Sequence, residues 1–399
     1  MKRIILSLTE AGLKSAILAA SLLLIANKGT GQPLSPENMY MGQTPPGNKP
    51  KVFPLAVKQG CFAAERIAIS GDGKNIYYTE IQGYYPIRGE NIKRYSFTGG
   101  KWTGPFDLFT GFAPALSVTG DTMFLERKST ENESETYISV RKGRGWGNPV
   151  RILTRLDTAH YFQATRKGNF FISSKSGNGA GLSDWCRVRI TGGDTLVTSL
   201  GRPLNTGGEN QDFYVSADES YIIVTNRPRL AISYRKDNDS YTNPRFLGQN
   251  IDYGPGSWGP WVTPDNRYLF YSTGTKPDYS DVAVNWVRID DVIDSLKHTN
   301  SSPYIKSLIP GQNAVAGQPF TYTVPDNIFF DDENKVPLAY SATLIDGNVL
   351  PSWISFDQAS RTFTGTAAEA GEITIRIVVT DSEEATAFCP LKIKISPAN

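Results

Sequence analysis

Eight side chains of this 399-residue chain could do chemistry together: Glu65, Arg66, His160, Tyr161, Glu209, Asp212, Trp258 and Trp261. They comprise three carboxylates, one imidazole, a guanidinium and three aromatic rings. Carboxylates ~5–9.5 Å apart across a cleft would be the acid and base of a glycoside hydrolase. Glu65 and Asp212 are the pair to test for that role, with His160 as a further base; a polysaccharide lyase would draw on the same groups. The same residues around a funnel could instead bind without turnover. Aromatic faces would stack on a sugar and polar groups would take its hydroxyls. Two plainer readings weigh against catalysis. A lone histidine is usually a hydrogen-bonded structural residue, and carboxylates at strand starts often accept backbone N–H bonds. No glycosidase signature, phosphate loop or Gly-x-Ser-x-Gly elbow occurs. The expectation is a binding protein with no catalytic residue.

These residues stand at or near the starts of strand-like segments that recur. One unit is a short strand, a polar turn and a second, aromatic-rich strand. It begins as Ile67-Ala68-Ile69-Ser70-Gly71-Asp72-Gly73 and returns around Ser117, Thr165, Ser216 and Thr263. The turn hydroxyls are spaced by 47, 48, 51 and 47 residues. Asp in such a turn caps its own backbone and Gly takes positive φ, which closes a tight hairpin. A second punctuation, Trp102-Thr103-Gly104-Pro105, Trp146-Gly147-Asn148-Pro149 and Tyr241-Thr242-Asn243-Pro244, falls between copies. Four strands per unit of this length is the arithmetic of a β-propeller blade. Five copies predict five blades over residues 51–297. The strand-like Val52–Val57 stretch is expected to complete the fifth blade and close the ring, removing an open sheet edge.

The Ser/Thr-Pro-Asp-Gly-like turn followed by an aromatic strand resembles the WD40-like repeat of TolB-type propellers. Thr263-Pro264-Asp265-Asn266 comes nearest to the full pattern, and the third copy departs most. After a linker at 298–302, residues 303–399 read as one β-sandwich. Leu350-Pro351-Ser352-Trp353-Ile354 and Arg361-Thr362-Phe363-Thr364-Gly365 carry the resemblance here, with Phe329-Phe330-Asp331-Asp332-Glu333 and Val379-Thr380-Asp381. They look like a dystroglycan-type, cadherin-like domain of immunoglobulin-like fold. Trp353 is expected in its core, with Gly365 allowing a close approach. The resemblance also implies a calcium site on Asp331, Asp332, Glu333 and Asp381, since calcium takes six to eight oxygen ligands. The acidic run breaks off at Asn334-Lys335, which argues for a solvated loop instead. The fold class is therefore all-β: a five-bladed propeller, then an immunoglobulin-like sandwich.

Composition bounds the address and the partners. Lys+Arg 41 against Asp+Glu 39 excludes a dedicated nucleic-acid binder. Lys2, Arg3 and Lys14 precede an apolar run from Ala16 to Ala26, too short to span a membrane and the right length for a signal-peptide core. Residues 1–31 are expected to be removed on export, and 32–50, with five prolines, to form a flexible leader. No later stretch reaches membrane-spanning length, so a secreted or periplasmic protein is expected at the cell envelope. Its partner would be a glycan, a peptide or an envelope protein. Three cysteines, Cys61, Cys186 and Cys389, cannot all pair internally; buried free thiols are expected, with a Cys61–Cys186 bridge as the alternative. Without residues 1–31 the chain carries 37 basic and 38 acidic groups; residues 303–399 hold 6 and 11 of these, leaving the propeller mildly basic.

Overall fold

Hairpin turns opened by a Ser or Thr and closed by Gly73, Gly120, Gly168, Glu219 and Asn266 set the architecture. The computed structural model describes residues 32–83, 88–130, 133–177, 179–191, 194–226, 229–333 and 336–398. The proposed signal segment, 1–31, lies outside these. Four of the five turn hydroxyls work alike: Ser70, Ser117, Ser216 and Thr263 each accept the backbone N–H five residues on, which pins the turn between the first and second strands. Thr165 uses its hydroxyl instead as a donor to Asn169 O and Glu219.

Five antiparallel sheets of this kind follow one another as blades. Their inner strands are Phe62–Ile69, Phe112–Leu116, His160–Ala164, Phe213–Val215 and Ser257–Val262. The weak third copy is a complete blade, ending on Asp184–Thr191 and Asp194–Ser199. In the second blade the outer edge is broken into Gly145–Trp146 and Val150–Arg151. The fifth sheet takes its fourth strand from Lys51–Val52, with Lys51 opposite Trp286 and Val52 opposite Asn285. The ring is thus closed by the chain's own early segment. Apolar clusters fill the spaces between neighbouring blades: Phe162, Ile172 and Cys186 sit with Phe124 and Ile138 of blade 2, and Ile223, Ile232 and Tyr221 with Leu269 and Tyr271 of blade 5.

Three local expectations need correction. Residues 32–50 were expected to be a flexible leader. Instead Pro36–Gly42 forms a kinked 3-10 turn that lays Tyr40 against Tyr268, Phe270 and Trp286, with ring centroids 5.2–6.2 Å apart. Leu34 is buried, and the Trp102 indole N–H donates to Asn38 O at 2.8 Å. The prolines suit a chain without ladder bonds, and one aromatic anchor is enough to dock it. Second, a short helix, Asp290–Lys297, follows the last blade strand. Val292, Ile293 and Leu296 fall on one face and pack on the blade 4–5 cluster, and Asp290 and Asp291 sit in the first turn, where the helix dipole favours them. Third, all three cysteines are free, but only Cys186 and Cys389 are buried; Cys61 is half-exposed.

A second compact unit begins at His298. Gln312–Val315 lies parallel to Thr386–Ser396, which pairs with Gly371–Thr380 and that in turn with Ala339–Leu344. The facing sheet is Phe320–Thr323, Thr362–Gly365 and Ile354–Asp357. Ile375, Ile377, Val379, Leu391 and Phe363 fill the space between. Alternation along the longest strand sends every second side chain inward, the signature of a half-buried antiparallel strand. Gly365 is required: a Cβ there would stand 2.1 Å from Trp353 O. Trp353 itself is half-buried at the margin of the core rather than within it.

Candidate functional site

The inner strands enter the ring through a repeated irregularity. Ala64, Phe112, His160 and Trp258 pair with Thr79, Glu126, Ser173 and Ser272 of the second strands. The next residue in each case, Glu65, Ala113, Tyr161 or Gly259, has φ of 68°, 49°, 57° or 63° and opens a bulge. Left-handed backbone is costly for Glu and Tyr, of order 1–3 kcal/mol each, so the surroundings must hold it. They do so by bonding across every seam between blades. Ala113 N–H donates to Thr79 Oγ1 at 3.1 Å, Tyr161 N–H to Glu126 Oε1 at 2.7 Å and Gly259 N–H to Asp212 Oδ2 at 2.9 Å. Ser272 donates to Glu65 O, and Ser173 to Asn210 O. Gly259 has no alternative there, because a Cβ would meet Arg66 N at 2.7 Å.

On these seams hangs a buried polar network. His160 lies between two carboxylates, with Nδ1 2.7 Å from Glu126 Oε2 and Nε2 2.8 Å from Asp212 Oδ1. Burial opposes the imidazolium, but the Glu126 charge and the bonds to both carboxylates outweigh it and raise the pKa to about 9. Burial likewise disfavours ionised Asp212, yet the His160 bond and charge and the Gly259 N–H hold its pKa below the usual range. Glu65 accepts the Tyr161 hydroxyl at 2.7 Å; burial and the nearby Asp212 charge push its pKa up to about 7. Arg66 donates to Ala113 O, Tyr161 O and Phe162 O, at 2.9–3.3 Å, with its guanidinium 4.5 Å from the centre of the Tyr161 ring.

The network brings together five of the eight sequence candidates: Glu65, Arg66, His160, Tyr161 and Asp212. It does not leave Glu65 and Asp212 facing open space, as a hydrolase pair would require. Their oxygens already serve Tyr161, His160 and Gly259, and Glu65 is 3% exposed. Glu209 is exposed, in the loop before blade 4, within reach of Gln211. Trp258 is buried against Tyr279, packed with Ala64, Ile81 and Val282. Glu126 was missed. Its signal was the repeat itself: four blades place a Thr or Ser, Thr79, Ser173, Thr225 or Ser272, near that point of the second strand, and blade 2 alone has a carboxylate.

Trp261 belongs to the other end of the channel. There the inner strands finish, and a cavity of about 260 Å³ opens. Ala68, Ala115, Gln163, Tyr214 and Trp261, each two residues before its turn hydroxyl, make one layer of the lining. Two alanines share this layer with two large aromatics and a glutamine. Gln163 is not free for a ligand, since it bonds both Val215 N and Val215 O. Gly71, Val118, Arg166, Ala217 and Pro264, each one residue after the hydroxyl, form the rim, and Arg66 reaches the lining from within.

In the second unit three of the four acidic candidates accept hydrogen bonds from loop groups. Asp381 Oδ1 accepts the N–H groups of Glu383 and Ala385, and Oδ2 accepts Asn300 Nδ2. Glu333 Oε2 accepts Ser301 N and Oγ, and Asp331 Oδ1 accepts Glu333 N. Among the described residues no three His, Cys, Asp or Glu side chains converge as metal ligands. Among the described residues Asp331, Asp332, Glu333 and Asp381 are thus not drawn together as the ligand set that the resemblance implied.

Comparison with known proteins identifies the C-terminal domain. Residues 302–396 match the family described as "Putative Ig domain". No curated protein matches the chain. Among solved structures, TolB from Acinetobacter baumannii is 19% identical over 55% of this chain and 53% of its own, with a TM-score of 0.36. The periplasmic gluconolactonase PpgL of Pseudomonas aeruginosa is 10% identical over 83% of this chain and 85% of its own, with a TM-score of 0.34. A Bacteroides fragilis structure described as an α-galactosidase is 17% identical, with a TM-score of 0.19; the match takes in 24% of this chain and only 18% of that one. Among the described residues no helix is long and apolar enough to cross a membrane. The chain joins a five-bladed propeller to an immunoglobulin-like domain at residues 302–396.

Proposed function

We propose that this is an exported binding protein whose propeller receives part of a glycan, peptide or protein partner in the mouth at the turn end of its channel. The cavity lined by Ala68, Ala115, Tyr214 and Trp261 carries this reading. It is concave, lined by all five blades and mostly apolar, with few polar groups to orient a ligand. The buried His160 network is the floor support of that site, not a reaction centre. Its carboxylates have their partners already, and only 12% of the His160 and Asp212 side chains is exposed.

The test is a screen of the full chain against glycan and peptide libraries, followed by titration of each hit. Trp261→Ala should weaken binding at least ~10-fold, the loss of one aromatic stack and its buried area. Trp261→Phe guards against a folding artefact by keeping the packing on Phe270. Glu65→Gln should leave binding unchanged and reveal no lost turnover. A hit indifferent to both Trp261 and Tyr214 substitutions would place the site elsewhere.

A further inference from the structure

The five rim turns are not alike. Four carry an aspartate, Asp72, Asp121, Asp218 and Asp265, whose Oδ1 folds back onto its own turn. The blade 3 turn carries Arg166 and Lys167 instead, both exposed. The Arg166 backbone N–H is fixed to Ala217 O at 3.0 Å, while its side chain has no ion pair among the described residues. Arg66 and Arg166 both line the cavity, and none of its described lining residues is acidic. The rim's turn charge is thus positive on the blade 3 side and negative on the other four.

Size and the chemistry of the lining narrow the choice. A cavity of about 260 Å³ falls below the ~300–1,000 Å³ of ordinary ligand pockets and suits a single ring at the end of a chain. A peptide's terminal carboxylate is commonly held by a nest of backbone N–H groups. Here the turn-closing N–H groups of Gly73, Gly120, Gly168, Glu219 and Asn266 are all bonded to the carbonyl three residues back. Among the lining side chains stand a guanidinium, an indole and a tyrosine. Resting on the binding reading above, we propose that the mouth recognises the terminal acidic sugar of a glycan, a hexuronate whose ring lies on Trp261 and whose carboxylate meets Arg166.

The experiment compares a glucuronate-ended and a galacturonate-ended disaccharide with their neutral hexose counterparts, by calorimetry on the full chain. Peptides with free and amidated C-termini are run alongside. At least one uronate should bind ~10-fold or more tighter than its neutral partner, as a charge-assisted bidentate contact warrants. That preference should vanish in Arg166→Gln and survive in part in Arg166→Lys, which keeps the charge but not the fork. Arg166 is an exposed turn residue, so the melting temperature should not move. Equal binding of acidic and neutral sugars, with Trp261→Ala still abolishing it, overturns the acidic-sugar proposal and leaves the binding reading intact. Tighter binding of a free-carboxylate peptide replaces the glycan with a peptide end. Binding of neither sugar also overturns the proposal; the binding reading falls with it only if no peptide is sensitive to Trp261→Ala.

Discussion

Replacing His160 with glutamine should erase a pH dependence of propeller stability that the network imposes. The groups around the imidazole are Glu126 from blade 2, Asp212 at the entry to blade 4, Tyr161 beside it in the chain, and Glu65 and Arg66 from blade 1. The His160 pKa is raised from its ordinary 6.5 to about 9, so the folded protein keeps a proton that the unfolded chain releases. The stabilisation is complete below pH 6.5 and is lost as pH rises through about 9. At ~1.36 kcal/mol per pH unit the interval amounts to about 3 kcal/mol. Glu65 acts lower down with the same sign. Its pKa is raised from 4.5 to about 7, so its contribution is complete below 4.5 and is lost on the way to 7. Asp212, held low, contributes the opposite sign: its share is present above 3.8 and is lost in acid. Urea denaturation followed by tryptophan fluorescence reads this out well, because six of the seven tryptophans lie in the propeller. The midpoint should fall steadily from pH 6.5 to 9, and His160→Gln should flatten that interval. The chain has only two histidines, so ring resonances followed by NMR give a direct second measure. An unchanged slope in His160→Gln, or an imidazole titrating near 6.5, would refute the bridging role.

Tyr161→Phe should cost about 1–3 kcal/mol, because it strands the buried Glu65 carboxyl without its donor. The same change should raise the Glu65 pKa further, visible as a carboxylic-acid band persisting above pH 7 in infrared spectra. Gly365→Ala should destabilise the sandwich by about 1–3 kcal/mol, since its Cβ would meet Trp353 O at 2.1 Å. The propeller's own urea transition should not shift, and a shift would contradict two separately built cores.

The blades were legible because each hydroxyl turn repeats with its flanking strands. A periodicity near 48 residues survives even where individual residues drift, as in blade 3. The network was half legible. Charged and aromatic residues at strand starts pointed to Glu65, Arg66, His160, Tyr161 and Asp212, but not to their closed arrangement. That depends on left-handed bulges, which no residue type announces when Glu and Tyr occupy them. Glu209 and Trp258 lie near the same strand starts, yet one stands in an exposed loop and the other packs beneath its own sheet. Side-chain direction through a bulge does not follow simple alternation. Arg166 carries no such signal, because it follows the end of an inner strand, where the cavity opens, rather than its start. The helix after the last blade was hidden by its length, since eight residues give barely two turns of periodicity.

Ring closure also dictates an order of assembly. Lys51 and Val52 leave the ribosome before any blade, yet their partners, Trp286 and Asn285, lie more than 230 residues later. Each blade can form its hairpins locally as it emerges, but the final sheet must wait for a segment made at the outset. In the interval the fifth sheet lacks its outer strand and the first blade lacks a neighbour. The slowest step in maturation should therefore be the capture of the early segment, with Phe53 and Tyr40 docking beside Trp286. A chaperone would find its target in that open circle rather than in any single blade.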